Sequence, residues 1–192
     1  MQNQQNNFST CDNHRHASLG ELGQSSNPTR IDVARARLSQ HGILILDDDK
    51  SQLDTLRAIC GKRWGISPDK ALTVEVYASD TFPKLVDRIE TLLRRQFEQT
   101  GNFIAGIITD YNITPSVTSL DIWKAVELSL IRSGHHEAWK ATGRVLATGT
   151  RINPEISEAI DSNRIDFCVA KPFKISTLTD AVEASVAKRL GT

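Results

Sequence analysis

Acidic, hydroxyl and ammonium side chains recur in this sequence at one kind of place, the carboxyl end of a short apolar run. Asp47, Asp48 and Asp49 follow the run 43–46, Asp110 follows 103–109, Thr148 closes 144–148, and Lys171 follows 165–170. A carboxylate can attack a phosphoryl group and form an aspartyl phosphate, provided the equatorial oxygens are neutralised in the transition state. A lysine supplies a point charge for one oxygen, a threonine hydroxyl with nearby backbone N–H groups serves another, and a metal ion covers a third. Clustered carboxylates repel one another and tend to hold protons unless a hard divalent cation relieves them, and magnesium (Mg2+) suits an all-oxygen donor set. Taken singly, each group has a plainer explanation. Three consecutive aspartates make a solvated loop or a helix N-terminus, a strand-end lysine is a surface charge, and a threonine is a good strand former. Their joint order along the chain points to chemistry.

These groups can act together only if the apolar runs lie side by side. From Gly42 onward such runs alternate with helical stretches, the pattern of strand and helix units that feed a parallel sheet. Five units are expected, with strands over 43–46, 72–77, 103–109, 144–148 and 165–170. Several of these are apolar throughout, as strands covered on both faces must be. The fold class is therefore α/β, a doubly wound parallel sheet of the flavodoxin-like order 2-1-3-4-5. Right-handed crossovers in that order set the first and third strands side by side, so Asp47, Asp48 and Asp110 are expected to converge. The first helix opens at Ser51 with Asp54 three residues on, a capping-box spacing, and buries Leu53, Leu56 and Cys60; 62–70 is read as a loop. The second helix spans about 83–97 and carries Leu85, Ile89, Leu92 and Leu93 on one stripe. A third follows Ser119, a fourth opens at Asn153 with Pro154 in its first position, and the last covers about 177–190. His135 and His136 fall in a polar stretch read as loop.

Composition bounds the rest. Residues 1–29 are rich in Gln, Asn, Ser and His and poor in aliphatic side chains, so a disordered tail is expected there. Within it Cys11, His14 and His16 lack a fourth ligand and read as part of that polar tail. Residues 30–41 form a short helix or linker, with Ile31, Ala34 and Leu38 on one face and Gly42 ending it, and 42–192 is a single folded domain. The 23 Lys and Arg residues balance 23 Asp and Glu residues, which leaves no net field to gather a phosphate backbone, so no nucleic-acid partner is expected. The apolar runs are too short to cross a bilayer and the N-terminus has no secretory signal, so no membrane partner is expected. Three cysteines without zinc-type spacing suit a reducing compartment, and a cytoplasmic location follows.

Residues 42–190 resemble the receiver domains of two-component response regulators. ILILDDD followed by SQLDTLRAI is similar to the family's first strand, acidic pair and first helix; IITDYN resembles its third strand with the acceptor; VLATG matches its hydroxyl position and VAKPF its lysine and proline. The resemblance implies that Asp110 is the phosphoacceptor and a magnesium ligand. It makes Asp48 a direct ligand, has Asp47 hold the ion through water, and draws a backbone carbonyl from Asn112. Thr148 would swing toward the phosphate and Lys171 would bind it. The phosphoryl donor would be a sensor histidine kinase or a histidine phosphotransfer protein, and the phosphorylated form would bind a downstream protein target. A single-domain relay or switch is expected, not an enzyme beyond self-catalysed phosphoryl transfer and hydrolysis.

Three departures accompany the resemblance. The spacing from Asp48 to Asp110 is long for the family, the loop 113–119 lacks the usual glycine, and Cys168 stands where the family carries an aromatic ring. Strand alternation sends neighbouring Phe167 to the opposite face. One alternative is a degenerate receiver that binds protein without being phosphorylated. Another is a haloacid-dehalogenase-like phosphatase, whose opening motif Asp47, Asp48, Asp49 and Ser51 imitate. That family needs an acidic pair after its lysine, and Pro172, Phe173 and Lys174 follow Lys171.

Overall fold

A computed structural model describes residues 27–101 and 103–190. Its first half runs α1 (Arg30–His41), β1 (Ile43–Asp47), α2 (Lys50–Trp64), β2 (Ala71–Glu75), α3 (Phe82–Thr100) and β3 (Gly106–Asp110). A small hairpin, β4 (Asn112–Thr114) and β5 (Val117–Thr118), then precedes α4 (Ser119–Arg132), α5 (His136–Lys140), β6 (Gly143–Thr148), α6 (Pro154–Asp161), β7 (Phe167–Ala170) and α7 (Ile175–Arg189). The main sheet has five parallel strands in the order β2-β1-β3-β6-β7. With β6 and β7 as the fourth and fifth strands, this is the 2-1-3-4-5 order expected of the α/β class.

The central strands show why the sheet is sandwiched. All five residues of β1 are buried, and they alternate between layers: Ile43 and Ile45 pack with α1, α2 and α7, whereas Leu44 and Leu46 pack with α3, α4 and α5. A strand apolar on both faces has to be covered on both. Helix α3 meets that need with Leu85, Ile89 and Leu93, each worth about 1.5–3 kcal/mol when fully buried. A third, smaller cluster of Tyr111, Leu120, Leu146, Ile156, Ala159 and Ile165 lies beneath α6.

Helix α1 is a helix packed on the domain and not a free linker. Thr29 and Asp32 close a capping box at its start, Ala34 and Leu38 are buried, and Arg35 reaches Glu183 of α7 at 2.8 Å. Gly42 ends it at φ 77°, where an added Cβ would lie 2.2 Å from the Lys70 carbonyl oxygen, so a side chain is barred. The disordered tail expected over 1–29, with Cys11, His14 and His16, falls almost entirely outside the described residues.

Several local expectations are corrected. Helix α2 starts at Lys50 because Asp49, not Ser51, is the cap; the Asp49 carboxylate accepts from the Ser51 and Gln52 amides. Asp54 instead pairs with Lys50 at 3.2 Å. The same helix continues to Trp64, whose buried indole donates to Glu183 at 2.9 Å, so 62–64 is helical and not loop. His136 opens the five-residue α5, anchored by buried Trp139, under whose ring plane the Arg144 guanidinium lies 4.4 Å away. The loop after Asp110 is the β4–β5 hairpin, with Asn112 opposite Thr118.

Candidate functional site

Asp47, Asp110, Thr148 and Lys171 stand at the carboxyl end of four adjacent strands, where an open parallel sheet forms its crevice. Register sets their spacing, since Leu46 pairs with Thr109, Asp110 with Ala147, and Thr148 with Ala170. Lys171 leaves the edge strand and reaches back across the crevice. Its amide donates to the Thr148 carbonyl oxygen at 2.7 Å, which fixes the turn from which the side chain starts.

The ammonium of Lys171 joins the two carboxylates. Its Nζ lies 3.0 Å from Asp47 Oδ2 and 3.0 Å from Asp110 Oδ1. Asp47 is 2 % exposed, and its Oδ1 accepts from the Asp49 amide at 2.9 Å. Asp48 is exposed beside them. Thr148 is buried, with its Oγ1 accepting from the Thr150 amide at 3.0 Å, while the Thr150 hydroxyl accepts from Asn112 Nδ2 at 3.0 Å. Thus the side chains of Asn112, after β3, and Thr150, after β6, are bonded to each other beside Thr148. In the sequence nothing marks Thr150 except its position two residues past Thr148.

Electrostatics at this end are asymmetric. Burial pushes the Asp47 carboxyl above the usual carboxylate range, and hydrogen bonds from the Asp49 amide and Lys171 offset this only in part. Burial also works to lower the Lys171 pKa, but the hydrogen bonds and charges of Asp110 and Asp47 outweigh it and hold the ammonium above its ordinary value. The two shifts are not mirror images because Lys171 faces two carboxylates, whereas Asp47 faces one ammonium and the like charge of Asp110.

A hard cation suits these donors. Asp47, Asp48 and Asp110 offer carboxylate oxygens against the one ammonium of Lys171, and the Asp47 carboxyl already carries an unrelieved burial cost. Among the described residues, however, no three His, Cys, Asp or Glu side chains gather as a ready metal cluster. Lys171 joins Asp47 to Asp110, and Asp48 is exposed on the adjoining loop.

The sequence matches no protein-family model, and no curated protein is similar to it in sequence. Solved structures do match the fold. An adenylate cyclase from Rhodopirellula baltica aligns at a TM-score of 0.54 and 18% identity, over 77% of this chain and 87% of that one. The signal receiver domain of an HD-domain-containing protein from Pseudomonas fluorescens Pf-5 aligns at 0.50 and 17% identity, over 78% of this chain and 97% of the other. A two-component response regulator from Cytophaga hutchinsonii gives 0.50 and 17% over 78% and 96%. Among the described residues no helix is long and apolar enough to cross a membrane. The sheet order and these likenesses together give the chain the fold of response-regulator receiver domains.

Proposed function

We propose that this chain is a phosphorylation-controlled protein-binding switch or relay in the cytoplasm, with Asp110 as its phosphoacceptor. The donor is a phosphohistidine on a sensor histidine kinase or a histidine phosphotransfer protein, and the phosphorylated form binds a downstream protein. The observation that carries this reading is the placement of one ammonium, Lys171 Nζ, 3.0 Å from both Asp110 and Asp47 at the carboxyl end of the sheet.

In the proposed reaction an Asp110 carboxylate oxygen attacks phosphorus in line with the leaving imidazole nitrogen. The oxygen–phosphorus bond forms, the phosphorus–nitrogen bond breaks, and the imidazole takes up a proton as it leaves. Lys171 stays bound to Asp110 and turns its charge to one phosphoryl oxygen. The Thr148 hydroxyl, which accepts from the Thr150 amide, has its own hydrogen to donate to another. Magnesium, when held by Asp47, Asp48, Asp110 and the Asn112 carbonyl, supplies the remaining positive charge that the phosphoryl oxygens need. The Asn112–Thr150 hydrogen bond ties the start of the β4–β5 hairpin to the loop after β6 at this end of the sheet.

Incubation with acetyl phosphate and magnesium tests this reading. The wild-type chain is expected to gain an acid-labile phosphoryl group, detected by mass, and Asp110→Asn to gain none. An unmodified wild type, or an Asp110→Asn variant that is still modified, would overturn it. The first of those results would leave a receiver fold used as an unphosphorylated binding module.

A further inference from the structure

Tyr111 is bonded covalently to Asp110 and leaves β3 into the space beneath α6. Its ring is 5% exposed and packs among Leu120, Leu146, Ile156, Ala159 and Ile165, with Cys168 against the same cluster. Its hydroxyl donates to Glu155 Oε2 at 2.6 Å and accepts from Asn153 Nδ2 at 3.1 Å. Asn153 at the same time caps α6, its Oδ1 accepting from the Ile156 amide at 2.9 Å. The residue next to the candidate acceptor therefore grips both polar groups at the entry to α6.

A helix of eight residues gains too little from its own hydrogen bonds to persist alone, so tertiary contacts hold α6 in place. Ile156 and Ala159 supply the apolar part, and the Tyr111 hydroxyl supplies the polar part at the first turn. The other approach to that turn is the loop after β6, where the Thr148 hydroxyl holds the Thr150 amide. Both lines of contact into α6 thus start at residues beside the same crevice.

We propose that Tyr111 is a positioning residue that couples the chemical state of Asp110 to the placement of α6, through the hydrogen bond from its hydroxyl to Glu155. This rests on the reading of Asp110 as phosphoacceptor. An aspartyl phosphate carries about two negative charges where the free carboxylate of the residue preceding Tyr111 carried one. It also recruits the Thr148 hydroxyl, whose bond to the Thr150 amide supports the other side of the same turn. Because the ring is sealed in a packed cluster, a shift at 110–111 is passed to the hydroxyl and is not absorbed locally.

Hydrogen exchange of the amides at 156–161 tests the coupling, with and without beryllofluoride and magnesium, while fluorine NMR reports whether the Asp110 adduct forms. In the wild-type chain adduct formation is expected to change exchange over these amides by about tenfold, the scale of one hydrogen bond to a charged group. Tyr111→Phe keeps the ring and is expected to form the adduct with less than a twofold response at α6. Glu155→Ala should behave in the same way, whereas Glu155→Gln, which retains an acceptor, should restore the wild-type response. Equal responses in wild type, Tyr111→Phe and Glu155→Ala would overturn the proposal, as would a wild-type adduct that leaves α6 unchanged. A wild-type chain that forms no adduct would overturn the phosphoacceptor reading and this proposal together, and the fluorine signal separates that result from the others.

Discussion

The two ends of the sheet each bury an aspartate against cations, and the ratio of charges is inverted between them. At the amino end one carboxylate, Asp166, serves several donors. Its Oδ2 accepts from the Arg144 amide at 3.0 Å and the Ser185 hydroxyl at 2.8 Å, and its Oδ1 accepts from Arg189 Nη2 at 2.8 Å, with Lys188 at 3.2 Å. Arg189 continues to the Asn163 carbonyl at 2.6 Å, and Arg144 donates to the Trp139 carbonyl at 2.8 Å. At the carboxyl end two carboxylates share the one ammonium of Lys171, with Asp48 exposed nearby. The pKa directions follow. Burial acts to raise the Asp166 pKa, but the Arg189 guanidinium and the Arg144 amide outweigh it and hold the carboxyl below the usual range. At Asp47 burial prevails and the shift is upward. An excess of cations thus makes a lock that joins β6 to α7, whereas an excess of carboxylates leaves charge for an incoming cation to relieve.

The sharpest way to break that contrast is Asp166→Asn. Removing one member of a buried, hydrogen-bonded charge set leaves uncompensated cations behind, and a loss of about 3–5 kcal/mol in unfolding free energy is expected from urea titration. A loss below about 1 kcal/mol, the worth of an exposed pair, would dismiss the lock. The same residue predicts an acid limb. Because the folded pKa of Asp166 is depressed, its contribution is fully present above the unfolded value of about 3.9 and fades as pH falls through the lower folded value. Unfolding midpoints measured over that range should fall for the wild-type chain and fall less for Asp166→Asn.

How far the sequence reveals each end depends on whether the chemistry is local. The apolar runs of β1 and β3 announce buried strands, and a strand-end carboxylate, hydroxyl and lysine announce the crevice, since each signal sits within a few residues. A run of three aspartates does not reveal which one points inward. The structure divides them into buried Asp47, exposed Asp48 and Asp49 as the α2 cap. The amino-end lock is hidden because its members come from β6, the approach to β7 and α7, and Asp166 reads in sequence as one more strand residue. Helix α5 is hidden for a related reason, as its anchor is the contact between Trp139 and Arg144 on the following strand. Tyr111 looks like an apolar strand exit until Glu155 and Asn153 are brought to its hydroxyl.

The carboxyl end yields the smaller effects, and they sharpen the comparison by their sign. Magnesium that binds the folded chain alone should stabilise it by about 2.7 kcal/mol at a concentration a hundredfold above its dissociation constant. Asp166→Asn should leave that increment intact, and Asp47→Asn should remove most of it. In the absence of metal, Asp47→Asn should itself raise stability, by less than the magnesium increment. The sign follows from the raised folded pKa of Asp47: at neutral pH its ionised form is less favourable in the folded chain than in the unfolded one, so removing the charge removes a penalty. Lys171 retains Asp110 in the variant, so its ammonium is not left unpaired. Urea unfolding at neutral pH measures the difference, and a marked loss of stability in Asp47→Asn would mean that Asp47 locks the carboxyl end as Asp166 locks the amino end.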